Sequence, residues 1–210
     1  VIMSEYGYIP EAPTQSWGNN KGIFTPNDIY NLDLAGKFST VGSLEFIQSQ
    51  TASTTSALNF TSLGDYNVHF MTLSNFQCDT ATTRYAYGRL SNDGGSSWIS
   101  GGSTYKRAFY RVNTSGTTGD IYSTTGTKMD SFFAIDSDYP SSQAVVYFYN
   151  LTDSSSYSFV SFHSVNSVSY WTYFGGFVVP TAEIHNAISI YADADNFLTG
   201  TATLYGIRDK

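Results

Sequence analysis

A single cysteine, Cys78, among 210 residues removes two function classes at once. One thiol closes no disulfide framework within the chain and builds no cysteine-based metal site, so a buried, inert side chain is the expectation. Charge is scarce too: Asp, Glu, Lys and Arg make up 13% of the chain, and the net charge is -7. Nucleic-acid binding needs a Lys/Arg footprint that neutralises phosphates. The basic residues here are scattered, with Lys106, Arg107 and Arg111 the one small group, so no nucleic-acid partner is expected. No apolar run approaches the length of a membrane-spanning helix, and Val1-Ile2-Met3 is too short for the apolar core of a signal peptide. Neither membrane insertion nor signal-peptide export is expected.

Catalytic side chains are equally sparse. Nucleophilic hydrolysis needs Ser or Cys beside a His oriented by a carboxylate. His69, His163 and His185 are the three histidines, and no Gly-x-Ser-x-Gly motif occurs. His69 and His163 sit in strand patterns; His185 lies in a connection. Asp136, Asp138, Asp193 and Asp195 fall at predicted strand ends, where Asp-x-Asp serves turn formation more readily than paired acid/base work or calcium binding. Gly101-Gly102 lacks the Lys and the strand-loop-helix context of a phosphate loop. The expectation is no enzyme activity, no metal and no cofactor.

What the chain does have is aromatic residues, 17% of the total with Tyr 17 and Phe 15, set among Ser, Thr and Val that favour pleated surfaces. Thr82–Val112 reads as a hairpin. Arg84, Ala86, Gly88 and Leu90 alternate with Tyr85, Tyr87 and Arg89, and Asn92-Asp93-Gly94-Gly95 tolerates positive φ. Period-2 patterns predict strands at Ser43–Gln50, Ala57–Phe60, Asn67–Asn75, Arg84–Ser91, Tyr105–Val112, Ser131–Asp136, Ala144–Leu151, Ser158–Ser164, Ser167–Val178, Ala187–Ala192 and Gly200–Ile207. Thr51–Ser56, Asn113–Thr127 and Asp153–Ser156 read as the longer loops. The expected fold is all-β, an antiparallel β-sandwich of jelly-roll kind with an extended N-terminal arm and one short helix.

Two units follow, an arm with its helix over 1–42 and the sandwich over 43–210. The arm has no period, yet it carries Tyr8, Ile9, Trp17, Ile23 and Phe24, which gain from docking on a neighbour. Thr25 as cap, Pro26 at the first turn, Asp28 at the dipole's positive end and Gly36 after the end predict a helix over Pro26–Ala35. Ile29 and Leu32 share one face of it and complete the expected anchoring set.

Several strands are bulky on both faces. In Val145-Val146-Tyr147-Phe148-Tyr149 and Tyr170-Trp171-Thr172-Tyr173-Phe174, one face packs the sandwich, and the other is left for the arm, another subunit, a ligand or water. Carbohydrate recognition asks for exposed aromatic faces, for which Trp98, Tyr105, Trp171 and Tyr173 are the candidates; core or interface packing is their competing use.

Three segments carry a resemblance. Gly88-Arg89-Leu90-Ser91-Asn92-Asp93-Gly94-Gly95-Ser96-Ser97-Trp98, Ala57-Leu58-Asn59-Phe60-Thr61-Ser62-Leu63 and Leu198-Thr199-Gly200-Thr201-Ala202-Thr203-Leu204-Tyr205-Gly206-Ile207 together resemble structural proteins of tailed bacteriophages, of tail-fibre or capsid-decoration type, over roughly 43–207. The arm's Trp17-Gly18-Asn19 to Ile23-Phe24 stretch is similar to openings of such proteins. The resemblance implies a virion component assembled in the host cytoplasm, partnered by other virion proteins, often as a homotrimer. Recognition of a host surface glycan is the alternative from a different class.

Overall fold

The computed structural model describes residues 26–34, 43–139 and 142–208. Two compact units divide it, and the first contributes one helix, α1 (Pro26–Leu34), with Asp28 in its first turn. The predicted capping residue Thr25 and the predicted end at Ala35 lie outside the described residues.

The second unit is the sandwich. Its strands are β1 (Leu44–Thr51), β2 (Ala57–Thr61), β3 (Val68–Cys78), β4 (Arg84–Ser91), β5 (Tyr105–Asn113), β6 (Thr118–Gly126), β7 (Met129–Ile135), β8 (Ser142–Tyr149), β9 (Tyr157–Val165), β10 (Trp171–Ala182), β11 (Ala187–Ala192) and β12 (Phe197–Ile207). They form a wide sheet of order β1-β12-β3-β8-β9-β10-β5-β6 and a small sheet of order β2-β11-β4-β7, with antiparallel pairing throughout. Without β5, β6, β9 and β10, the remaining sheets are β1-β12-β3-β8 and β2-β11-β4-β7, the nested order of a jelly roll. The two inserted strand pairs both add to the β8 side and double the wide sheet.

Alternation decides what goes inside. In β8, Ala144, Val146 and Phe148 are buried while Gln143, Val145, Tyr147 and Tyr149 point out. Phe132 of β7 crosses the sandwich to meet Phe162 of β9 and Phe177 of β10, with ring centroids 5.4 and 5.5 Å away. Phe76 of β3 does the same with Phe133 of β7 at 5.5 Å. Each such ring, fully buried, contributes about 1.5–3 kcal/mol. Gly88 on the inner side of β4 makes room: a Cβ there would lie 2.7 Å from Phe132 and 2.8 Å from Met129.

Three sequence expectations fail, the last being the start of the predicted strand Ser167–Val178, where Val168–Tyr170 is a 3-10 turn and β10 begins only at Trp171. The Thr82–Val112 segment is not a hairpin, because β4 pairs with β11 and β7 in the small sheet while β5 pairs with β10 and β6 in the wide one. The turn itself forms, with Gly94 and Gly95 at φ of 76° and 89°. Asp93 accepts hydrogen bonds from Ser91 Oγ at 2.7 Å and Ser97 Oγ at 2.6 Å. The chain then runs on across the sandwich, where the buried Tyr105 hydroxyl accepts from Leu90 N and donates to Ile99 O. The second failure is Asn113–Thr127, predicted as loop but carrying β6, whose edge position leaves Ile121 as its one large aliphatic inward residue.

Candidate functional site

The outer face of the wide sheet carries exposed aromatic residues with no cover among the described residues. Its register is continuous across all eight strands. One row runs Phe46, Tyr205, Phe70, Tyr147, Ser161, Gly176, Ala108, Tyr122, each residue directly opposite the next. The next row runs Ser49, Thr203, Thr72, Val145, His163, Phe174, Tyr110, Asp120. Asp120 is the single carboxylate in these two rows, and neither holds a Lys or Arg.

The first row divides into a ridge and a trough. On β1, β12, β3 and β8 the rings meet along the row, edge-on for Phe46–Tyr205 at 6.2 Å, stacked for Phe70–Tyr205 at 6.2 Å and tilted for Phe70–Tyr147 at 4.9 Å between centroids. On β9, β10 and β5 the same row drops to Ser161, Gly176 and Ala108, the floor of an open groove of about 420 Å³. Phe159, Tyr149, Val178 and Lys106 wall it, and Tyr122 stands at the far edge, 81% exposed. Gly176 is required by the backbone, since a Cβ there would collide with the Val160 carbonyl oxygen.

The small sheet's outer face differs because its tyrosines are capped from within. Lys128 Nζ sits 3.5 Å from the Tyr87 ring centroid and the Arg89 guanidinium 5.0 Å from that of Tyr191. Tyr87 also donates to Asp193 at 3.0 Å, and burial raises its pKa, helped by nearby Asp130.

At the loop end stands a Ser-His-Glu constellation. Ser158 Oγ and His185 Nδ1 share a hydrogen bond of 2.8 Å, and His185 Nε2 faces Glu183 Oε1 at 3.4 Å. Ser158 and His185 are fully buried. Burial lowers the His185 pKa, partly offset by Glu183. Beside it lies a polar cleft of about 500 Å³ lined by Thr61, Ser62, Gly94, Thr152 and Asn186. Asn186 is already committed, accepting from Gly94 N at 2.7 Å and donating to Asn92 O at 3.3 Å.

The acidic candidates are likewise engaged. Asp195 is ion-paired with Arg84, Asp193 accepts from Tyr87, and the buried Asp136 accepts from Asp138 N at 2.9 Å, an Asx-type turn. Among the described residues no three of His, Cys, Asp and Glu gather as metal ligands. Cys78 is buried, and burial raises its pKa, which disfavours the nucleophilic thiolate.

The four proposed glycan-stacking residues do not form a site. Tyr105 and Tyr173 lie in the core, 0% and 1% exposed, because each is on the inner face of its strand. Trp171 is half-buried, packed on the core with the Arg111 guanidinium 4.7 Å from its ring centroid. Trp98 is half-buried against Gly95 on the β4–β5 connection. Of the anchoring set, Ile29 and Leu32 are on α1, and Tyr8, Ile9, Trp17, Ile23 and Phe24 lie outside the described residues. Sequence reasoning singled out the strands of Tyr147 and Phe174 but missed the ridge at Phe46, Phe70 and Tyr205 and the trough beside it. The signal for the ridge was aromatic alternation in each strand, while the row itself depends on pairing between distant segments.

Comparison with known proteins gives no match to this chain, neither to a protein family, nor to a curated protein, nor to a solved structure.

Proposed function

We propose that the chain is a non-enzymatic structural subunit that works by assembly, a virion component of the bacteriophage tail-fibre, appendage or capsid-decoration kind. In this reading residues 1–42 anchor it to other virion proteins and the sandwich is displayed. The supporting observation is the outer face of the wide sheet, where Phe46, Tyr122, Phe159 and Phe174 are 65%, 81%, 41% and 45% exposed within a nearly uncharged area. An apolar patch of that extent is an interaction surface far more often than a monomer's bare face. Each aromatic covered on assembly adds about 1.5–3 kcal/mol before ordering costs, and repetition over many copies multiplies the effect.

The test is the solution mass of the full chain beside a version lacking 1–24, by light scattering up to about 100 µM, a hundredfold above a Kd of about 1 µM. The expected result is a multimer of the full chain, and a mass that falls on truncation assigns part of the assembly to residues 1–24. A full chain that stays monomeric throughout overturns the reading.

A further inference from the structure

We infer that the outer face of the wide sheet pairs with the same face of a second copy, across a two-fold axis parallel to the strands. This rests on the assembly reading and names its partner. Two such sheets packed about 10 Å apart present their strands to each other in reversed order. Reversal sets Phe46 over Tyr122, Tyr205 over Ala108, Phe70 over Gly176 and Tyr147 over Ser161. Ridge meets trough three times over.

The neighbouring row carries the complement in the opposite sense. There the large rings Phe174 and Tyr110 lie on the trough half, and the reversed order sets them over Thr72 and Thr203. Ser49 falls over Asp120 and Val145 over His163, so no two like charges face each other. A shift by one strand either stacks Tyr205 on Tyr122 and uncovers Phe46, or sets Tyr147 on its own symmetry mate and uncovers Tyr122. The centred register is therefore the one in which all eight strands overlap and five of the large rings find small residues, with Phe46 and Tyr122 meeting as two rings at the edges.

Area and charge agree with a stable pair. Seven strand spacings of about 4.8 Å and four outward positions per strand make a face of about 34 by 27 Å, on the order of 900 Å² against the roughly 800 Å² per partner of a stable complex. A net charge of -7 on each copy opposes association in general, but the two central rows contribute only Asp120 to that repulsion. The small sheet's face is no competitor, since its own Lys128 and Arg89 occupy its tyrosine rings.

The experiment is sedimentation equilibrium of the full chain and three surface variants, with far-UV spectra and melting temperatures as folding controls. The wild type is expected at twice the 23.1 kDa chain mass, with a dimer that added salt leaves intact or tightens. Ser161→Tyr and Ala108→Trp fill the trough and are each expected to weaken the dimer by about tenfold or more. The decisive variant is the exchange Tyr147→Ser with Ser161→Tyr, which swaps the two facing residues and restores the dimer that Ser161→Tyr loses. A trimer, or any multimer unmoved by both trough-filling variants, overturns this pairing while leaving the assembly reading standing. Filling variants that dissociate the dimer without rescue by the exchange also overturn it. A wild type monomeric throughout overturns both.

Discussion

Ser158 Oγ lies 2.8 Å from His185 Nδ1, and neither residue has any exposed surface. The pair looks like the start of a hydrolase triad, and it ties β9 to the β10–β11 connection. His185 N also donates to Leu151 O at 2.7 Å, which draws in the β8–β9 turn. Ser158→Ala leaves His185 Nδ1 buried without its partner and is expected to cost about 1–3 kcal/mol, read as a lower urea midpoint. A serine-directed fluorophosphonate is expected to leave the wild type unlabelled. Covalent labelling at Ser158 would show that the hydroxyl is reachable and reactive.

Acid should weaken the fold well above the pH at which Asp93 and Asp153 titrate. Burial lowers the pKa of both His69 and His185 from the ordinary 6.5. His69 is faced by the Leu63 carbonyl at 3.0 Å and the Tyr66 ring, and His185 by Ser158 and Glu183. Below pH 6.5 the unfolded chain takes up protons that the folded chain refuses, so stability falls as pH drops; above 6.5 these groups add no slope. The slope is at most about 1.4 kcal/mol per pH unit for each imidazole. Hydrogen bonds from Ser97 and Ser155 hold Asp93 and Asp153 at about 2, below the usual 3.8, so their contribution goes only in stronger acid. Urea midpoints from pH 7.5 to about 4.5 should therefore decline, and His69→Gln with His185→Gln should flatten that decline. An unchanged slope in the double variant would assign it elsewhere.

The sandwich was legible because inward and outward residues alternate cleanly, as Val146 and Phe148 do against Tyr147 and Tyr149. What was illegible is long-range. The Asn92–Gly95 turn reads as a hairpin from its own residues, and nothing local says that the strand after it joins the other sheet. β6 was hidden by Thr118, Gly119, Ser123, Thr124, Thr125 and Gly126, which read as loop; β5 makes it a strand by pairing. The ridge row has the same origin: Phe46 and Tyr205 face each other only because β1 and β12, near opposite ends of the sandwich sequence, lie side by side. Tyrosine adds its own ambiguity, since Tyr105 is core and Tyr110, five residues later, is on the outer face.

Tyr105→Phe tests the connection that replaced the expected hairpin. The hydroxyl accepts from Leu90 N at 2.9 Å and donates to Ile99 O at 3.1 Å, holding the β4–β5 connection against the end of β4. Its removal strands a buried backbone donor in β4 and is expected to cost about 1–3 kcal/mol. Amide exchange should rise first at Leu90 and Ile99, whose backbones also pair at 2.9 Å. A variant as stable as the wild type would mean that the crossing is held by packing alone.

Phe132→Ala should separate the jelly roll from its extension. Phe132 sits on β7 of the small sheet, and its ring meets Phe162 and Phe177, which belong to the inserted strands β9 and β10. Those two rings in turn stack on each other at 5.5 Å and meet Phe109 of β5 edge-on and tilted. Truncation leaves a large cavity at that junction and is expected to cost about 3–5 kcal/mol. Because Phe76 of β3 and Phe197 of β12 meet each other and Phe76 meets Phe133, with no ring contact to Phe132 among the described residues, the loss should be uneven. Hydrogen exchange is expected to rise in β10, β5 and β6 at conditions where β12 and β3 remain protected. Uniform loss of protection would instead show that the widened sheet and the jelly roll unfold as one cooperative unit.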